Sequence, residues 1–186
     1  VKKRSILVNL QTCGRIMRPD KEKNKKYAVI IELLKVHIDR ITPTTFYAKA
    51  QNNNHGLSEG CALFLTGYFL WKNKKGKKYY SVYQKGLKLV EDQVQELILD
   101  DGTFSQYSIV YHRMILDLLS VIELLRQEWN LDSFSESFYE KVNLAIEWYS
   151  SMIDPLSGNA PNMGANDGTY LFNYDQKEYR DFRPTL

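Results

Sequence analysis

Three short stretches of this 186-residue chain carry side chains that could hold an acid group or move a proton. The first is Asn54-His55, with Glu59 four residues on, at the start of an apolar run. A helix beginning there would present unpaired backbone N–H groups and a partial positive charge. An amide donor and an imidazole added to such an end suit a carboxylate. Glu59 could accept a ring N–H of His55 and fix its tautomer. The same residues also fit an ordinary helix start, in which Asn54 is the cap and Glu59 favours the first turn.

The second stretch is Tyr111-His112-Arg113. Consecutive residues of a helix point in different directions, so the three polar tips diverge. Tyr111 is either a core aromatic whose hydroxyl finds a partner or a proton donor and acceptor. A phenol ordinarily titrates near 10, so it acts as a base only beside positive charge. The third stretch is the Asn166-Asp167 turn. His37 lies between Leu34 and Ile41 on an apolar stripe, where a histidine reads as a core residue. A metal site would require His37, His55 and His112 to converge, and no metal or cofactor motif supports one. The chain has no GxGxxG, GxxxxGK[ST], HExxH or GxSxG pattern. Cys13 and Cys61 lie in apolar stretches outside any CxxC, which reads as buried thiols and leaves a disulfide open.

The elements that must position these residues are helical throughout. Apolar residues three and four apart mark a helix from Tyr27 to Ile41, which Pro43 ends or kinks. Residues 55–70 are apolar on nearly all sides, as for a helix buried between others. A basic turn over 72–78 follows. Further stripes run from Tyr79 to Leu97, Tyr111 to Leu125 and Phe138 to Ile153, with Asp100-Asp101-Gly102 as a turn signal. Residues 5–17 read as a short opening helix. From Asp154 onward, Pro155, Gly158, Pro161, Gly164 and Gly168 break any helix, and the asparagines add turn chemistry. Loops of this length are usually functional or disordered, and the aromatics predict an ordered one. No strand, repeat or domain boundary is apparent. The expectation is an all-α chain of antiparallel helical hairpins.

Composition narrows the function classes. Hydrophobic residues are 44% and charged residues 25%, which excludes a disordered tail, a collagen-like repeat and a disulfide scaffold. No apolar run reaches the roughly 20 residues of a membrane span. The net charge of +3 is too small to point to nucleic acid. Its distribution is uneven, however. Residues 1–50 hold 12 Lys or Arg against 4 Asp or Glu, residues 72–88 hold 7 basic and no acidic side chain, and residues 89–150 hold 12 acidic against 3 basic. Each block reads as a solvated face or, for the basic ones, as a rim that gathers a polyanion. The absence of a start methionine or an apolar signal region before Val1 suggests a processed or cut piece.

Taken together, the motifs resemble one family. NNNHGLSEGCALFLTGYFL at residues 52–70 is similar to the NNH-x-x-x-E motif of heparinase II/III-like polysaccharide lyases. EDQVQELILDDGTFSQYSIVYHRMILDLL at 91–119 resembles that family's DG…YHR segment, and PNMGANDGTYLF with YRDFRPTL resembles its NDG…RPTL segment. His37 falls where the family has a histidine on the preceding helix. The resemblance implies an incomplete α/α toroid followed by a β-sandwich that this chain lacks, so that residues 1–186 would be part of the toroid. It implies β-elimination on a uronate-containing polysaccharide. Asn54 and His55 would neutralise the carboxylate, and Tyr111 would protonate the leaving oxygen and could also take the C5 proton. Arg113, His112, Glu59, Asn166 and Asp167 would contact substrate or support the site, with no cofactor and no metal. A further catalytic histidine of the family would come from outside this chain, so the expectation is little or no activity of the chain alone. The implied partners are an acidic polysaccharide and the rest of the parent enzyme, in a periplasmic or secreted setting. Two other classes compete: a non-catalytic carbohydrate-binding helical module, and a protein-binding helical scaffold should Asn54, His55 and Tyr111 lie far apart or buried.

Overall fold

The computed structural model describes residues 21–74, 76–172 and 178–185. Cys13 and the expected opening helix over 5–17 lie outside the described residues. The all-α expectation holds: among the described residues there are six α-helices, one 3₁₀ turn and no strand. They are α1 Lys21–Ile41, α2 Thr45–Ala50, α3 Asn54–Lys74, α4 Lys77–Leu97, α5 Ile109–Glu128 and α6 Glu136–Ser151, with the 3₁₀ turn at Arg183–Thr185.

Several predicted boundaries are shifted. Helix α1 ends at Ile41, as Pro43 requires, but the chain then re-enters the short helix α2, which no periodicity had marked. The basic stretch 72–78 is not a turn. It is mostly helix, with α3 running to Lys74 and α4 starting at Lys77, and Gly76 in extended conformation at the junction. Lys78 pairs with Asp39 at 2.7 Å and Lys88 with Asp92 at 3.5 Å. Exposed pairs of this kind contribute little to stability. At the Asp-Gly turn, Asp101 Oδ1 accepts the Thr103 N–H at 2.9 Å and Gly102 takes φ 84°.

Helix α3 is buried all round, as its composition predicts, with Leu57, Leu63, Phe64 and Leu70 at 0–1% exposure. It forms an antiparallel hairpin with α4. Glycines set the closeness of that packing: a Cβ on Gly86 would lie 2.2 Å from the Phe64 nitrogen, and one on Gly67 would lie 2.5 Å from the Tyr83 nitrogen. Only glycine lets two helix backbones approach so far. The larger core joins α3, α4, α5 and α6, and a smaller one joins Ile30, Ile31, Leu34 and Ile38 of α1 to α3 and α4. Cys61 lies within the larger core as a free thiol, and burial pushes its pKa up to about 12. No described helix is long and apolar enough to cross a membrane.

The described parts of the tail, 154–172 and 178–185, are held against α5 and α6. The Ser108 hydroxyl donates to Ala165 O, the Ile109 N–H to Met163 O at 3.2 Å, and the Tyr149 hydroxyl to Phe182 O at 3.1 Å. The loop's end is tied to its beginning by Arg183, which donates to Pro155 O, Leu156 O and Asp181.

Candidate functional site

The start of α3 is held from outside the helix. Asn53 Oδ1 accepts the His55 N–H at 2.9 Å, and Gln106 Oε1 accepts the Asn54 N–H at 2.9 Å. The capping that sequence alone allowed to Asn54 is therefore performed by its neighbour and by a distant glutamine. The sequence pattern assigns the cap to Asn54 alone and marks neither Asn53 nor Gln106. The Asn54 amide is left with a weak contact, Nδ2 to Met114 Sδ at 3.7 Å. Asn54 is 5% exposed and His55 is exposed.

Asn54, His55 and Glu59 line one wall of a cavity of about 250 Å³. Met114 and Leu118 of α5 form another, and Thr169 and Phe172 of the loop form a third. Glu59 Oε2 is buried without a hydrogen-bond partner, and burial raises the pKa of that carboxyl despite Lys85 nearby.

Tyr111 sits one turn before Met114, half-buried, against the same loop. Its hydroxyl donates to Asp167 Oδ2 at 2.8 Å. Asp167 Oδ1 in turn accepts the Thr169 N–H at 3.1 Å, which fixes the carboxylate beside the cavity wall. Burial and the Asp167 charge both raise the Tyr111 pKa. Asn166 accepts the Tyr179 hydroxyl at 2.6 Å and donates to Asn162 at 2.8 Å, while Gly168 takes φ 74° to complete the turn.

The other two members of Tyr111-His112-Arg113 point elsewhere. His112 is 1% exposed, stacked on Trp148 with centroids 4.8 Å apart, and its Nε2 lies 2.9 Å from Ala145 O. Burial lowers its pKa to about 4, so the ring is neutral near pH 7. Arg113 is 1% exposed. It donates to Tyr179 O at 2.7 Å and Thr169 O at 3.1 Å, and its guanidinium lies 4.5–4.7 Å from the ring centroids of Phe182, Tyr170 and Tyr179. Such an assembly joins loop to helix. One turn on, the buried Asp117 accepts the Thr185 hydroxyl at 3.0 Å. Desolvation raises its pKa to about 7, against the pull of Arg113. His37 is half-buried on α1 and does not line the cavity. No group of three or more metal-binding side chains occurs among the described residues.

The structure thus places Asn54, His55 and Glu59 on the wall of one cavity, bonds Tyr111 to Asp167 two residues before the lining Thr169, and buries His112 and Arg113. Against this geometry, the family model described as Heparinase II/III N-terminus matches residues 31–182. No curated protein and no solved structure matches the chain.

Proposed function

The chain belongs to the heparinase II/III family, and from that membership we propose that it is the helical part of a polysaccharide lyase acting on a uronate-containing chain by β-elimination. In this reading its hairpins form part of an incomplete α/α toroid, and a β-sandwich belongs to the parent enzyme. The observation that carries the reading is the Tyr111 hydroxyl bonded to Asp167, two residues before Thr169, which lines the same cavity as Asn54, His55 and Glu59.

The chemistry follows from the arrangement. The C5 proton of a uronate is weakly acidic while the neighbouring carboxylate is charged. The Asn54 amide and the His55 imidazole, at a helix N-terminus, would neutralise that carboxylate and stabilise the enolate-like intermediate. Tyr111 has no cation against its hydroxyl among the described residues: His112 is neutral and buried, and the Arg113 guanidinium is bonded to the loop. The phenol is therefore protonated at rest and suited to delivering a proton to the departing C4 oxygen. Bound substrate would displace or share its bond to Asp167. In the same reading His112, Arg113 and Asn166 support the site, and Glu59 and Asp167 border the substrate.

Tyr111→Phe in the full-length enzyme should lose roughly 10²–10⁴ in kcat with little change in KM, measured by the ultraviolet absorbance of unsaturated uronate. Turnover equal to wild type would remove Tyr111 from the chemistry. Absence of turnover in the wild-type full-length enzyme, with oligosaccharide affinity that Tyr111→Phe leaves intact, would favour the non-catalytic binding module. The 186-residue chain alone should give little or no product, and robust product from it would overturn the dependence on the rest of the enzyme.

A further inference from the structure

Tyr107 is placed in a way that neither the core nor the roles above require. Its backbone sits at φ 49°, in the left-handed region that bulky side chains avoid. The residues on either side are fixed. Gln106 holds the Asn54 N–H and the Ser105 hydroxyl donates to Asn52 O, so this loop braces the start of α3. Ser108 caps α5 by accepting the Tyr111 N–H at 3.3 Å and donates to Ala165 O. From the loop side, Gly164 approaches so closely that a Cβ there would lie 2.1 Å from Tyr107 O. Tyr107 is therefore the point at which the α3 start, the α5 start and the 162–168 loop meet. Its side chain nevertheless gains little from the fold: the residue is 59% exposed, and no ring or cation pairs with it among the described residues. A strained backbone kept without a packing gain is a mark of function.

We infer that Tyr107 is a stacking platform for a pyranose ring of the acidic chain bound at Asn54, His55 and Tyr111, an inference that rests on the proposed function. The face of an aromatic ring is electron-rich, and the C–H face of a pyranose presents its weakly positive hydrogens to it. A tyrosine ring has few rotatable bonds, so little entropy is lost when it makes such a contact. The left-handed backbone holds the exposed ring beside the loop that braces Asn54, where a regular turn conformation would redirect it. Tyr107 then reads the uncharged face of a sugar while Asn54 and His55 read a carboxylate.

The experiment is calorimetric titration of the full-length enzyme with a heparin-derived tetrasaccharide and with an oligoalginate tetrasaccharide, together with thermal melting. Tyr107→Gly should weaken Kd for the bound probe about tenfold while raising Tm, because glycine takes the left-handed conformation freely. Tyr107→Phe should bind within about twofold of wild type, since the ring face is kept. Asn54→Ala should weaken the same probe. Wild-type binding that Tyr107→Gly leaves unchanged would overturn the platform alone. A Tyr107→Gly protein that binds weakly because it melts lower would also overturn it, since the residue would then be structural. Binding weakened by Tyr107→Gly but untouched by Asn54→Ala would place the sugar elsewhere and overturn it. No wild-type binding of either probe would overturn the platform and the carbohydrate reading together.

Discussion

Tyr111 and its two successors occupy one turn of α5, yet they live in opposite surroundings. Tyr111 meets an exposed carboxylate beside a cavity, where its phenol can exchange partners. His112 and Arg113 are each 1% exposed and have fixed partners, the first in α6 and the second in the loop. The difference teaches that a run of reactive residue types need not be a run of reactive residues. One of the three meets an exposed group, and the other two are buried supports. Arg113 is the link between the regions, since its bond to Thr169 O lies two residues from the carboxylate that meets Tyr111.

Breaking that link should have the largest effect. Arg113→Ala removes two charged hydrogen bonds and three ring contacts, and leaves Asp117 without its nearby cation. A loss of about 3–5 kcal/mol in denaturant unfolding is expected. Hydrogen exchange should show the 162–169 backbone released first. An unfolding free energy within about 1 kcal/mol of wild type would show that the loop is held by its other contacts.

A pH experiment sharpens the buried side of the comparison. Asp117 is raised to about 7 in the fold, above its ordinary value of 3.8. The unfolded chain thus releases this proton first, and the stability associated with the protonated group, full below about 4, is lost as pH rises to about 7. His112 runs the other way. It is lowered from 6.5 to about 4, so its contribution is present above 6.5 and is lost as pH falls toward 4. The two slopes oppose each other in the wild type. Asp117→Asn should stabilise the protein at pH 8 by about 2–4 kcal/mol and leave a profile that falls on acidification. An Asp117→Asn profile parallel to wild type between pH 4 and 7 would show that Asp117 does not titrate in this window.

The smallest effect is expected on the exposed side. Asp167→Asn keeps a hydrogen-bond acceptor but removes the charge that raises the Tyr111 pKa. Stability should change by about 1 kcal/mol or less, while the phenol's spectrophotometric titration moves down. An unchanged titration would mean that burial alone sets the Tyr111 pKa.

Much of the fold was legible because it rests on local periodicity. The α3 stripe is apolar all round and is buried all round, Pro43 lies two residues past the last residue of α1, and the Asp-Gly turn lies where its residues place it. The short helix α2 and the tight junction at Gly76 escaped, the first because six residues carry too little period and the second because lysines fit helix and turn alike. The motifs identified the family, and Asn54, His55 and Tyr111 as the residues to watch. They did not show that Arg113 is buried against the loop, nor reveal Gln106, Asp117 or Tyr107.

What the sequence by itself determined is therefore the helices, the turn chemistry of the tail and the family, since each depends on residues close in the chain. Only the tertiary structure decided which polar groups face the cleft. Arg113 meets partners 56 and 66 residues away, and Asn54 meets one 52 residues away. Burial is the physical reason. Desolvation keeps His112 neutral and, with the hydrogen bond to Asp167, keeps the Tyr111 phenol protonated, and no spacing along the chain measures how much water a side chain has lost.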